Sequence, residues 1–263
     1  MRVATWNINS IRARVDRAVA FLERSGTDVL ALQETKCKDE QFPTAAFEEI
    51  GYEVAHVGLS QWNGVAVVSR VGIEDVEVGF ETQPMFGEAP HVEARALGAT
   101  CGGVRVWSLY VPNGRELDNP HYPYKLEWLG NLRAQAERWL SDDPDAQVML
   151  VGDWNVAPLD TDVWDAAFFA GKTHLSPPER AAFTAFAEAG YTELSRAFIP
   201  AEHTYTYWDY QQLRFPKNQG MRIDFTYASP ALAARATGVT IDREERKGKG
   251  ASDHVPVIVD LAD

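Results

Sequence analysis

Apolar residues along this chain fall into short blocks with two periods. Residues 148–151 (Val-Met-Leu-Val) form an unbroken apolar run, the mark of a strand buried on both faces, and it stops at Gly152, Asp153, Trp154 and Asn155. The same form recurs: residues 2–6 end in Asn7-Ile8-Asn9, residues 28–32 in Gln33-Glu34, and residues 104–109 in Tyr110. Arg222 and Ile223 lead to Asp224, and the loop 250–252 delivers Asp253 and His254 ahead of a last strand over 255–261. A buried-type strand covers 64–69, residues 92–101 and 104–109 read as a hairpin about Gly102-Gly103, and a short strand lies near Val239. Residues 71–90 read as edge strand and loop. Helical spacing takes over between these blocks: Val15, Val19 and Leu22 before a stop at Gly26, then 44–50, then 122–140 with Leu126, Leu129, Leu132, Ala136 and Leu140 on one side, 177–189, and a helical turn over 230–236.

Strands alternating with helices predict an α/β fold. Thr5-Trp6-Asn7 is echoed by Asp153-Trp154-Asn155, each at a strand end, which suggests two similarly built halves packed face to face, a layered sandwich with helices outside two sheets. With 263 residues and no linker-like or low-complexity stretch, residues 1–263 are expected to form one domain. The hydrophobic share of 45% and charged share of 24% are those of an ordinary soluble protein, and no run approaches the roughly 18 apolar residues of a membrane span. A strand under way by the sixth residue leaves no room for a signal peptide, so a cytoplasmic protein is expected. Cys37 and Cys101 match no zinc or redox spacing.

A formal charge of −13, from 38 acids against 25 bases, argues against indiscriminate coating of nucleic acid or anionic membrane. It leaves room for a nuclease, because a metal site gathers carboxylates and the bases need only cluster on one face. Were the polar strand ends to meet on one rim, they would assemble Asn7, Asn9, Glu34, Tyr110, Asp153, Asn155, Asp224, Asp253 and His254. That set holds hard oxygen ligands and one imidazole. Asp153 and Asn155 are also good turn formers, and Glu34 alone would pass for a surface charge. Ser252-Asp253-His254 could cap a strand, but Pro256 and the apolar run after it already make that turn.

Four stretches resemble the exonuclease III family of apurinic/apyrimidinic endonucleases: Trp6-Asn7-Ile8-Asn9, Leu32-Gln33-Glu34-Thr35-Lys36, Gly152-Asp153-Trp154-Asn155, and Asn218-Gln219-Gly220-Met221-Arg222-Ile223-Asp224 with Ser252-Asp253-His254. The resemblance spans essentially the whole chain in the family's order. Two departures leave open which of the family's activities dominates: Thr192-Glu193-Leu194-Ser195-Arg196 where the family usually shows Asp-Ser/Thr-Phe/Tyr-Arg, and Thr27 where Pro or Ala is usual. The resemblance implies a four-layer sandwich of two packed mixed β-sheets flanked by helices, like deoxyribonuclease I. The function it implies is Mg²⁺-dependent hydrolysis of duplex DNA, with Mn²⁺ as an alternative ion: incision 5′ to abasic sites, 3′ to 5′ exonuclease action and clearance of blocked 3′ ends, by a monomer.

Within that resemblance Glu34 is the expected metal ligand, with Asn9 or Asp253 completing the shell. Asp153 would orient or deprotonate the attacking water while Asn155 holds its neighbour or a phosphate oxygen. His254 would pair with Asp224 and donate to the phosphate, Asn7 would brace that pair, and Tyr110 would hydrogen-bond the phosphate region. Tyr207, Met221 and Ile223 match positions that form an apolar pocket for an extruded baseless sugar. Arg12, Lys36, Arg115, Lys125, Arg214, Lys217, Arg222 and the 243–249 loop could grip the duplex backbone, or be solvated surface. A phosphoesterase for lipid or inositol phosphates could use the same core, and so could a catalytically silent DNA-binding module.

Overall fold

The structure, a computed structural model, describes residues 1–263. The strands in chain order are β1 (Arg2–Asn7), β2 (Val29–Gln33), β3 (Glu53–Val57), β4 (Val65–Ser69), β5 (Glu74–Val78), β6 (Met85–Phe86), β7 (His91–Val92), β8 (Ala96–Cys101), β9 (Val104–Tyr110), β10 (Val148–Asp153), β11 (Thr192–Glu193), β12 (Asp224–Ala228), β13 (Ala236–Ile241) and β14 (Val257–Leu261). The helices are α1 (Val15–Ser25), α2 (Thr44–Glu48), α3 (His121–Asp142), α4 (Pro177–Glu188), α5 (Leu194–Phe198) and α6 (Pro230–Ala233). Two six-stranded sheets result, ordered β13-β14-β1-β2-β4-β3 and β11-β12-β10-β9-β8-β5. Each holds one parallel pair, β1 with β2 and β9 with β10, and the remaining neighbours run antiparallel.

Alternation along the strands sorts the core into three layers. Val3, Val29, Val67, Val106, Met149 and Val151 point inward and fill the space between the sheets. Ala4, Trp6, Leu30 and Leu32 point outward beneath α1 and α2, where Trp6 meets Phe21 edge-on at 5.4 Å. Trp107, Leu109, Leu150 and Trp154 cover the other outer face under α3 and α4, with Trp154 against Phe183 and Phe186. The tryptophan echo is therefore architectural: each indole sits just past or at the end of a central strand and locks its own helix layer. The result is the four-layer sandwich of two mixed sheets. No helix is long and apolar enough to cross a membrane.

Two local expectations change. Residues 92–101 do not form one strand: Val92 pairs with Met85, and the strand resumes only at Ala96. The break lies where Glu93 and Arg95 turn their side chains toward each other (2.6 Å) and Arg95 stacks over Tyr110. Glu53–Val57 is an edge strand that the apolar blocks did not mark, its alternation interrupted by Ala55 and His56.

Candidate active site

Every strand end singled out above opens on one rim, because the parallel pairs run the same way and β12 returns antiparallel beside β10, with Asp224 opposite Asp153. The chain turns sharply there. Asn9, Glu34 and Asn155 hold φ values of 46°, 52° and 51°, the left-handed region that non-glycine residues avoid and that gathers at functional sites.

At the centre, the Asn7 side-chain amide donates to Glu34 Oε1 (2.9 Å) and to Asp153 Oδ2 (3.0 Å), joining the two sheets. Asn7 thus braces the two carboxylates and not the Asp224–His254 pair, a correction of its expected role that follows from its place between β2 and β10. His254 Nδ1 lies 2.9 Å from Asp224 Oδ2, which also accepts from Thr206 (2.6 Å), and its Nε2 lies 3.8 Å from Asp153 Oδ2. Burial alone would lower the imidazole's pKa, but Asp224 and Asp153 overcome this and raise it to about 10, so His254 is an imidazolium at neutral pH. Burial pushes Asp153 up to about 7, helped by Asp224 and Glu34 against the pull of His254. Glu34 is held below its ordinary value despite burial, by Lys36 at 2.7 Å and by Asn7. Tyr110 is raised well above its ordinary value by burial and the Glu34 carboxylate, and is a neutral phenol with Arg95 stacked 4.8 Å from its ring.

Ligand atoms of Glu34, Asp153 and His254 lie within 4.8 Å of one another. With His254 charged and committed to Asp224, two hard carboxylates remain, a donor set that suits a small divalent cation retaining most of its water. Asn9 and Asp253, the other expected ligands, bond each other at 3.0 Å, and Lys36 reaches the Asn9 amide oxygen at 2.6 Å.

Two residues expected to grip DNA lie elsewhere. Arg222 is fully buried, stacked over Phe225 with one nitrogen on the Ile199 carbonyl, and Lys125 is fully buried against Glu179. Lys36 is engaged by Glu34 and Asn9, while Arg12, Arg115 and Lys217 are exposed. A different pattern emerges among the remaining cations. Arg214 lies over Trp164 (4.7 Å), Lys172 over Phe168 (3.6 Å), Arg243 over Phe215 (4.3 Å) and Arg246 over Tyr210 (4.9 Å). All four are propped on aromatic rings with no carboxylate partner, whereas Arg2, Arg24 and Arg70 are tied to acids.

The Tyr207 ring lies 4.9 Å from that of His254, tilted 60° to it. Met221 and Phe169 separate two cavities of about 640 and 240 Å³, the smaller one lined also by Tyr207 and Trp164. Ile223 lines neither; it is buried beneath Met221 with Ala157 and Val163. Sequence reasoning missed His174, buried at φ 77° with Nδ1 on the Asn155 carbonyl (2.5 Å), and no local pattern around it would have disclosed this.

A model of the endonuclease/exonuclease/phosphatase family matches residues 4–254. The chain belongs to that family. Within it, exodeoxyribonuclease III of Haemophilus influenzae is 30% identical over 98% of both chains, and an exodeoxyribonuclease of Bacillus subtilis 28% identical over 98% of both. Among solved structures, a Neisseria 3′ phosphatase bound to a product DNA hairpin superposes with a TM-score of 0.94 at 34% identity over the full length of both chains. An AP endonuclease from Archaeoglobus fulgidus does so with 0.91 at 32%, covering 99% of each. This member of the endonuclease/exonuclease/phosphatase family is a nuclease of the exonuclease III branch.

Proposed function

We propose that the protein is a Mg²⁺-dependent DNA repair nuclease that incises 5′ to abasic sites and processes 3′ ends of duplex DNA as exonuclease and phosphatase. The observation that carries this reading is the Asn7-bridged pair of Glu34 and Asp153 facing the Asp224-backed imidazolium of His254. A cation held at Glu34, with water and phosphate filling most of its shell, would neutralise charge on the phosphate and its leaving oxygen. Asp153, its second oxygen fixed by Asn7 and its first by the Asn155 amide, orients a water and takes its proton. His254 donates from Nε2 to a phosphate oxygen, keeping its charge through Asp224, and the Tyr110 hydroxyl adds a second donor, an uncharged one. Asn155 holds neighbouring backbone and side-chain groups, since its Oδ1 accepts from Asn113 and its Nδ2 donates to Val111.

The aromatic-propped cations support a duplex partner. Cations free of carboxylates on an otherwise acidic chain are the ones able to exchange counterions with phosphates. Tyr207 and Met221, beside His254, are the walls against which a baseless sugar would rest. The deciding experiment offers duplexes carrying one abasic site or a 3′-phosphate, with and without EDTA, then with Mg²⁺ or Mn²⁺ restored. Product length and end chemistry rank the activities. Cleavage undiminished by EDTA, or no attack on either duplex, would overturn the reading.

A further inference from the structure

Lys125 is the fifth residue of α3, is wholly buried, and has all three ammonium donors in use. They go to the carbonyls of Asn155 (2.6 Å) and Asn113 (3.2 Å) and to Glu179 Oε1. Glu179 sits in the first turn of α4 and is saturated in turn: Oε1 also accepts from Thr173 Oγ1 (2.6 Å) and the His174 amide (2.9 Å), and Oε2 from the Ser176 amide (3.1 Å) and hydroxyl (2.6 Å). Asn155 is thereby held at every polar atom. Its carbonyl takes Lys125 and His174, its side chain joins Asn113 and Val111, and its own amide reaches back to Asp153 Oδ1 at 2.9 Å. Asp153's other oxygen is fixed by Asn7.

A buried ion pair is a weak source of stability, since removing two charges from water costs about what their attraction returns. What this one does supply is direction: it pins a left-handed, strained residue two positions after the candidate base. We propose that Lys125, anchored by Glu179, is a positioning residue that holds the Asn155 turn so that the Asn155 amide orients the Asp153 carboxylate toward its water. The proposal rests on the nuclease reading above and deepens it. An apolar side chain in place of Lys125 would leave the Asn155 carbonyl to His174 alone and free the Asn113 loop. The turn could then relax toward ordinary backbone angles, swinging the carboxylate off its line, and a misplacement of about an ångström is enough for a large loss of rate.

The test is the double variant Lys125→Met with Glu179→Gln, which removes both charges together and keeps a side chain able to complete the Ser176 capping box. Three quantities are measured against the unaltered protein: thermal midpoint, steady-state constants on the duplex the protein cleaves best, and the ¹⁵N–¹H signal of the Asn155 backbone amide. The expected result is an unfolding midpoint close to the parent, kcat lower by about tenfold or more with KM within about threefold, and a displaced Asn155 signal reporting loss of the bond to Asp153. Parent kcat and an unmoved signal in the folded double variant would overturn the proposal, leaving the pair as packing only. Should that variant not fold, Thr173→Val loosens the same anchor from outside the ion pair, by removing the hydroxyl between Asn113 and Glu179. A smaller fall in kcat at unchanged KM supports the clamp, and parent kcat sinks it. Were the parent itself inert on every duplex, the nuclease reading would fall, while the Asn155 signal would still decide whether Lys125 holds the turn.

Discussion

A histidine held by one buried carboxylate at 2.9 Å and faced by another at 3.8 Å carries its charge into the folded state, and this has a measurable pH signature. The folded pKa of His254 lies near 10 against an ordinary 6.5, so its stabilising contribution is complete below pH 6.5 and drains away as pH rises toward 10. In EDTA, the gap in thermal midpoint between the protein and its His254→Gln variant should be widest near pH 6 and should close by about pH 10. A gap independent of pH would mean that the fold leaves the imidazole's pKa unshifted, and one that widens as pH rises that the imidazole is neutral in the fold. For catalysis, Asp153→Asn and His254→Asn should each lower kcat by about a hundredfold or more, the scale for losing an acid-base or charge-stabilising group. Because both act on one transition state, the double variant should lose far less than the product of the two, and multiplicative losses would place them in separate steps. The meeting of Asp153 and His254 was foreseeable because each borders an apolar run, whereas Asp224, led to only by Arg222 and Ile223, came with the family resemblance. Asn7 was foreseeable only as a member of the site, since which groups it bridges depends on how two sheets meet.

At the level of the element, the site depends on how β9 lies against β10. Gly152 sits in that pairing opposite Leu109, and a Cβ there would fall 1.9 Å from the Leu109 carbonyl oxygen. Gly152→Ala therefore has no side chain to rotate away and must part the strands, at a cost of about 3 kcal/mol or more, above ordinary overpacking because backbone is struck. Urea unfolding of the variant checks this, and a change under about 1 kcal/mol would show that the strands can shift at no consequence. The central strands were legible because both of their faces are buried, which leaves a continuous apolar signature. Glu53–Val57 was not, since its burial alternates only partly and its neighbours decide its state. The α4 start could have been read further: Ser176-Pro177-Pro178-Glu179 carries the capping-box spacing, and a glutamate so placed is already committed to backbone.

Over the molecule as a whole, the excess of acid is compatible with DNA because the cations include two contrasting groups, one tied to carboxylates and one without a carboxylate partner. Those tied to carboxylates are already neutralised, whereas Arg214 and Arg243 rest on rings. Alanine at either should flatten the slope of log affinity for duplex against log salt by about one unit, while Arg24→Ala should leave it unchanged. Equal effects at all three would remove any distinction between the populations. No sequence pattern separates them, nor does one show that Lys125 and Arg222 are interior: long charged side chains default to the surface, and only the packed layers reveal otherwise. A last consequence concerns the seam between the sheets. That seam is mostly apolar, but within it Gln33 reaches Ser108 and Thr5 at 3.0 Å each, and Ser108 returns a bond to the Leu32 carbonyl at 2.9 Å. Apolar packing resists sliding of the two slabs only through interlocking side chains and places no directional bond between them. The Gln33 latch stops that travel one residue from Glu34, so the spacing between carboxylates contributed by opposite halves of the protein is set before any ion or strand of DNA arrives.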